Sequence, residues 1–214
     1  MKMKTMLLSA FASLLFLTPA LVFAQSVELT AHIGGQINGG VDLSTTRFRR
    51  LEVQNGLNYG ATLGFLLGEH YGAEFQWNQN KSDSRGQPIG GGPSTKVFSL
   101  SQNQYLGNFL FHLTNREAHL RPFGFFGLGA TALSTDRPGV GGSTRFTFAL
   151  GAGAKYNVSK HLGLRGQFKY APTYLTTTNN GGYWCDPFWG GCWVVGNSHY
   201  LNSIDFTGGI TLRF

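Results

Sequence analysis

Three groups of residues in this chain have types and spacings that could do chemistry. The first is a set of ionisable side chains placed at alternate positions within otherwise apolar runs: Glu28, His32, Glu74, His112, Lys155, Arg165, Lys169, Asp205 and Arg213. Gathered out of water, such groups must pair, because an unpaired buried charge keeps its full desolvation cost. Glu74 with Lys169 or Arg165 is the pairing to expect, and the set would then act either as a gate across a pore or as a plug. The second group is "WCDPFWGGCW" at 184–193, which holds the only two cysteines, Cys185 and Cys192. Pro187, Gly190 and Gly191 permit a tight turn between them, and Trp184, Phe188, Trp189 and Trp193 crowd around it. In an oxidising compartment the pair reads as a disulfide. Closing so short a ring contributes about 2.5 kcal/mol at most by chain entropy. The aromatics form either a protease-resistant stapled loop or a partner surface. The third group is histidine: His70, His119 and His161 each fall in a short polar connection. Turns favour polar residues anyway, so no metal site is expected. Ser198 and His199 are adjacent, but no acid lies close to complete a triad. No catalytic residue, no cofactor and no enzyme activity are expected.

What must position these residues follows from the rest of the chain. The N-terminus has Lys2 and Lys4, an apolar stretch from Met6 to Leu17, and small residues at Val22 and Ala24. That is the pattern of a secretory signal peptide over residues 1–24, cut before Gln25. Its apolar stretch is too short for a spanning helix, which needs about 20 residues. Cleavage would leave 190 of the 214 residues, suited to one domain over 25–214, and would lower the net charge from +7 to +5. Only 13% of residues are charged, about half the usual share, while Gly numbers 31 and Phe 18. A soluble surface is normally wetted with charge; this one is not. No apolar run of 18 residues occurs in the mature chain, which excludes an ordinary helical membrane protein.

Period-2 alternation supplies the remaining solution. "VELTAHIGGQI" sets Val27, Leu29, Ala31, Ile33 and Ile37 against Glu28, Thr30, His32 and Gln36. Similar alternation recurs in "LNYGATLGFL", "AEFQWNQ", "QYLGNFLFHL", "RFTFALGAGAKY", "HLGLRGQFKY" and "YLNSIDFTGGITLRF". "LRPFGFFGLGATAL" (120–133) is apolar on both faces, so its phase is open. These are eight strands. Connections 68–72, 114–119 and 157–161 are short; 38–54, 80–96, 134–144 and 175–198 are long and polar. Short turns at one end and long loops at the other fit an eight-stranded antiparallel transmembrane β-barrel. Lipid offers nothing to a free sheet edge, so the sheet must close with its apolar face outward. An eight-stranded interior is just wide enough for side chains to fill, which favours the plug.

The signal peptide, the eight segments, "YNVSKHLGLRGQFKY" and the terminal "TGGITLRF" together resemble the small outer-membrane barrels, the group of the OmpA transmembrane domain and OmpX-like proteins. The resemblance spans the mature chain. It implies an all-β barrel with short periplasmic turns and long extracellular loops, in the outer membrane of a Gram-negative-type bacterium. It also implies an assembly signal in Thr207, Gly209, Leu212 and Phe214, read by the barrel assembly machinery. With no peptidoglycan-binding domain after the barrel, a barrel-only member is expected. The expected partners are outer-membrane lipid, lipopolysaccharide and an unknown extracellular partner. Arg47, Arg49, Arg50, Lys81, Arg85, Lys96, Arg137 and Arg145 would meet lipopolysaccharide phosphate from the loops. Nucleic acid is not expected, and the barrel is taken as a monomer. The function expected is non-enzymatic: loops presented for adhesion, partner binding or envelope integrity. The alternative is a narrow porin-like channel, and a third is a lipid A-modifying hydrolase.

Overall fold

Alternating sequences put every second side chain on one face, and strands so built bury one face only when the sheet curls. The computed structural model describes residues 27–42, 48–88, 90, 92–135, 143–174, 182–186, 191–195 and 200–214. Along the chain run β1 (Val27–Asn38), β2 (Gly40–Asp42), β3 (Phe48–Val53), β4 (Gly56–Leu66), β5 (Tyr71–Pro88) and β6 (Thr95–His112). Then follow β7 (Leu120–Thr135), β8 (Ser143–Asn157), β9 (Leu162–Tyr170), β10 (Thr173–Tyr174), β11 (Gly182–Asp186), β12 (Gly191–Val195), β13 (Tyr200–Leu201) and β14 (Ser203–Arg213). Eight of them close a ring in the order β1, β4, β5, β6, β7, β8, β9, β14, with every neighbouring pair antiparallel.

The closing seam joins β1 to β14 from Glu28↔Arg213 to Asn38↔Ser203. Two glycines let the backbones approach there. A Cβ on Gly34 would lie 1.8 Å from the Phe206 carbonyl oxygen, and one on Gly209 would lie 2.4 Å from that of Ala31. Past the seam, the Phe214 amide donates to the Val27 carbonyl at 2.9 Å, which joins the two ends of the described barrel.

The outward face is apolar from rim to rim. Leu29, Ile33, Phe75, Phe109, Phe126, Leu150, Leu164, Phe206 and Ile210 are all exposed, and Phe214 is 73% exposed. The inward face is buried and mostly polar, with an apolar cluster on β6, β7 and β8 and glycine between its larger groups.

Two expectations need correction, and a third point, left open by the sequence, is decided. Residues 80–96 are not a loop: β5 continues to Pro88 and β6 begins at Thr95, paired through Gly86↔Thr95. Outward residues beyond Trp77 are Gln79, Lys81, Asp83, Arg85 and Gln87, so the apolar signal stops where the strand leaves hydrocarbon while its main-chain pairing goes on. Residues 38–54 and 175–198 likewise contain β2, β3, β11 and β12, and strand covers part of 134–144. Lys81, Arg85, Lys96 and Arg145 therefore stand on strands rather than loops. Lastly, the phase of 120–133 is fixed by burial: Arg121, Phe123, Phe125 and Thr131 face inward, while Phe126 and Leu128 face outward. Residues 1–24, Arg47, Arg137, Phe188, Trp189, Ser198 and His199 lie outside the described residues.

Candidate functional site

Among the described residues, the lumen is where the fold gathers ionisable groups from many strands. Its layer nearest the short turns is an ion-pair network. Glu74 on β5 faces Arg165 on β9, four strands round a ring of eight, so this bond crosses the diameter. It is bidentate: Arg165 Nη1 donates to Glu74 Oε1 at 2.7 Å and Nη2 to Oε2 at 2.8 Å. Lys155 on β8 donates to Glu28 Oε2 at 2.5 Å and to Glu74 Oε1 at 3.1 Å. Arg213 meets Glu28 Oε1 through Nη2 at 2.9 Å, directly across the seam. Both carboxylates thus bridge two cations, which is what buried charges require. Arg213, at 15% side-chain exposure, is the network's link to water.

A second pair lies further up. Lys169 donates to Asp205 Oδ2 at 2.9 Å, its direct cross-strand neighbour, and to Gln104 Oε1 at 2.5 Å. Glu74 therefore pairs with Arg165 and Lys155, and Lys169 belongs to Asp205. His32 Nε2 bonds Asn78 Oδ1 at 2.6 Å. Gln36 Nε2 reaches Gln102 Oε1 at 3.1 Å, and Thr131, Thr147 and Thr173 share hydroxyl bonds of 2.6–3.3 Å. His112 is fully buried on β6 and makes none of these bonds.

Sequence reasoning missed the apolar half of the filling. Leu106, Leu110, Phe123, Phe125, Ala149 and Ala171 form a buried cluster inside the barrel. Phe123 and Phe125 oppose Gly153 and Gly151. A Cβ on Gly153 or Gly151 would lie 2.7 or 2.4 Å from the facing ring, so each ring fills the space that a side chain there would need. Arg165 sits 4.7 Å and Lys155 5.5 Å from the Phe123 ring centre, close enough for cation–π attraction. The available signal was the facing pattern of "FGFFG" and "LGAGA", but register was needed to use it. Arg121, fully buried on the same strand, was missed for the same reason.

The outer mouth differs. A cleft of about 600 Å³ lies against the sheet at this end, lined by Asn38, Glu52, Gln54, Asn55, Ser94 and the outward-facing Arg85 among others. Here β2, β3, β5 and β6 form a sheet that rises past the outward Trp77 and Tyr105. From Asn78 to Pro88 the β5 strand adds about 34 Å of length at about 3.4 Å per residue. On this hairpin Lys96 bonds Asp83 at 2.8 Å, and Ser99 donates to the same carboxylate at 2.8 Å. The Lys96 hydrogen bond, then that of Ser99, holds the Asp83 carboxyl below its ordinary range.

β11 pairs only with β12, opposing Cys185 to Cys192 and Trp184 to Trp193. Thr207 and Gly209 of the C-terminal strand face inward, while Leu212 and Phe214 face outward. His70, His119 and His161 sit on three separate turns. Among the described residues no group of three or more His, Cys, Asp or Glu could hold a metal.

The outer membrane protein beta-barrel domain family matches the chain over residues 9–191. No curated protein sequence matches significantly. Among solved structures the chain is similar to the outer membrane protein OprG from Pseudomonas aeruginosa, at 10% identity and a TM-score of 0.62, covering 89% of this chain and 95% of that one. It is similar to Neisserial surface protein A at 12% identity and a TM-score of 0.51, covering 89% and 97%. The N-terminal β-barrel domain of Pseudomonas aeruginosa OprF gives 13% identity and a TM-score of 0.50, covering 88% and 97%. At these identities the likeness is one of fold.

Proposed function

We propose that this chain, which belongs to the outer membrane β-barrel domain family and resides in the outer membrane, serves there as a sealed, non-enzymatic anchor. Its task on this reading is to present extracellular strands and loops for adhesion, partner binding or envelope integrity. The observation that supports it is the cross-lumen Glu74–Arg165 bridge, with Lys155 and Phe123 beside it. A solute on the barrel axis meets paired charges and aromatic rings where a channel needs water. The hairpin of β5 and β6, in contrast, extends a long polar sheet beyond the lipid. The opposition of Cys185 and Cys192 across β11 and β12 supports a disulfide in a presented arm. Directly opposed residues in an antiparallel pair have Cα atoms about 4.5 or 5.5 Å apart, inside the range a disulfide spans. Removal of residues 1–24, insertion by the assembly machinery from the β14 strand, contact with lipopolysaccharide and a monomeric state complete the proposal.

A photo-crosslinker placed at exposed Gln87, in cells, tests this reading. A discrete protein or polysaccharide adduct is expected from Gln87, and lipid adducts alone from lipid-facing Leu164. Lipid adducts alone from both positions would contradict it. The polar lining of the lumen above the ion-pair layer, with Gln36, Asn78 and Gln102, supports a second reading, a narrow channel for small solutes. Steady conductance in planar bilayers would favour that reading over the sealed anchor.

A further inference from the structure

Two fully buried side chains in the lumen take no part in the seal. Arg121 on β7 is 0% exposed, and only its Nη2 is engaged, donating to the Glu69 carbonyl at 3.0 Å. Its Nε and Nη1 have no partner. His112 on neighbouring β6 is also 0% exposed, with no partner at either ring nitrogen. It opposes Phe123, two residues along from Arg121, so the two side chains are diagonal neighbours on one face.

Register adds a second observation. Arg121 opposes Lys155 across β7 and β8, and Lys155 opposes Arg165 across β8 and β9. Three cations therefore stand side by side on adjacent strands, where directly opposed like charges destabilise. Carboxylates answer two of the three: Glu28 and Glu74 reach Lys155, and Glu74 holds Arg165. The other oxygen of Glu28 is taken by Arg213. Arg121 makes no ion pair among the described residues, yet its guanidinium is the least exposed of those lining the lumen there. A charged donor left unmatched out of water costs more than a neutral one.

We propose that Arg121 and His112 form a binding site for a small monatomic anion of the chloride class, reached from the periplasmic mouth. Arg121 Nη1 donates a charge-assisted hydrogen bond to it. A ring N–H of His112 donates one more. The anion ends the row of cations and pairs the guanidinium that the two carboxylates leave over. It is small because both side chains are already fully enclosed.

The test uses bromide, which scatters anomalously, with the intact mature protein crystallised in bromide. One anomalous peak within hydrogen-bonding range of Arg121 Nη1 and a His112 ring nitrogen is expected. Ordinary water density there, with no anomalous signal, would overturn the site. In solution, the urea midpoint of the lipid-inserted barrel is followed at constant ionic strength as gluconate is exchanged for chloride. Chloride should raise the midpoint of the unaltered protein. In Arg121→Gln, half-saturation should need at least tenfold more chloride, the effect of losing a charge-assisted bond. An equal chloride response in the two proteins would overturn the proposal. Should Arg121→Gln fail to insert, the bromide experiment on the unaltered protein decides alone.

Discussion

At the scale of single residues, the lumen network makes its members unequal. Glu74 holds two cations and is buried, so Glu74→Gln leaves Arg165 and Lys155 short of charge. Breaking such a pair from one side costs about 3–5 kcal/mol. Urea unfolding in vesicles should show a loss of that size, and a loss under about 1 kcal/mol would mean that water already screens the network. On the opposite face, Leu150 lies mid-strand and outward, beside Phe126. Leu150→Arg should cost about 2–4 kcal/mol in the same assay if it sits near the bilayer midplane. The charged inward set could be read from the sequence because each member interrupts an apolar alternation. Arg121 could not, because "LRPFGFFGLGATAL" is apolar on both faces and its phase depends on the glycines of a neighbouring strand.

At the scale of elements, the eight barrel strands were legible and their lengths were not. Alternation marks a strand only where one face meets lipid. Beyond Trp77 on β5 and Tyr105 on β6 both faces are largely polar, so the extension reads as loop although its backbone is paired to Gly86↔Thr95. That hairpin carries its own pH signature. Asp83 has a depressed pKa, so its bridge stabilises the folded hairpin above the ordinary carboxylate value and is lost as pH falls through the lower folded value. The protection of amides near Asp83 and Lys96, relative to their intrinsic exchange at each pH, should therefore hold at neutral pH and fall only below about pH 4. Asp83→Asn should remove that acid-dependent step and leave the barrel amides unchanged. The β11–β12 arm makes a separate prediction. A thiol-reactive maleimide should label Cys185 and Cys192 only after reduction, and labelling of the unreduced protein would remove the disulfide.

At the scale of the whole molecule, the ring divides labour between its two halves. The periplasmic half spends its side chains on closure: the Glu28–Arg213 seam, the Glu74–Arg165 crossing and the phenylalanines facing glycine. The outer half carries its sheet above the lipid. A barrel built to conduct would reverse that economy, keeping water on its axis and its strands short. The fold was legible because lipid imposes one rule on every strand; the partner was not, because no such rule acts on loops. The most direct test of the sealed barrel is current across a planar bilayer holding the mature protein. The account predicts brief, infrequent openings or none at all, becoming steady conductance when Glu74→Ala and Arg165→Ala are combined to clear the crossing. A steady ohmic current through the unaltered protein would contradict it.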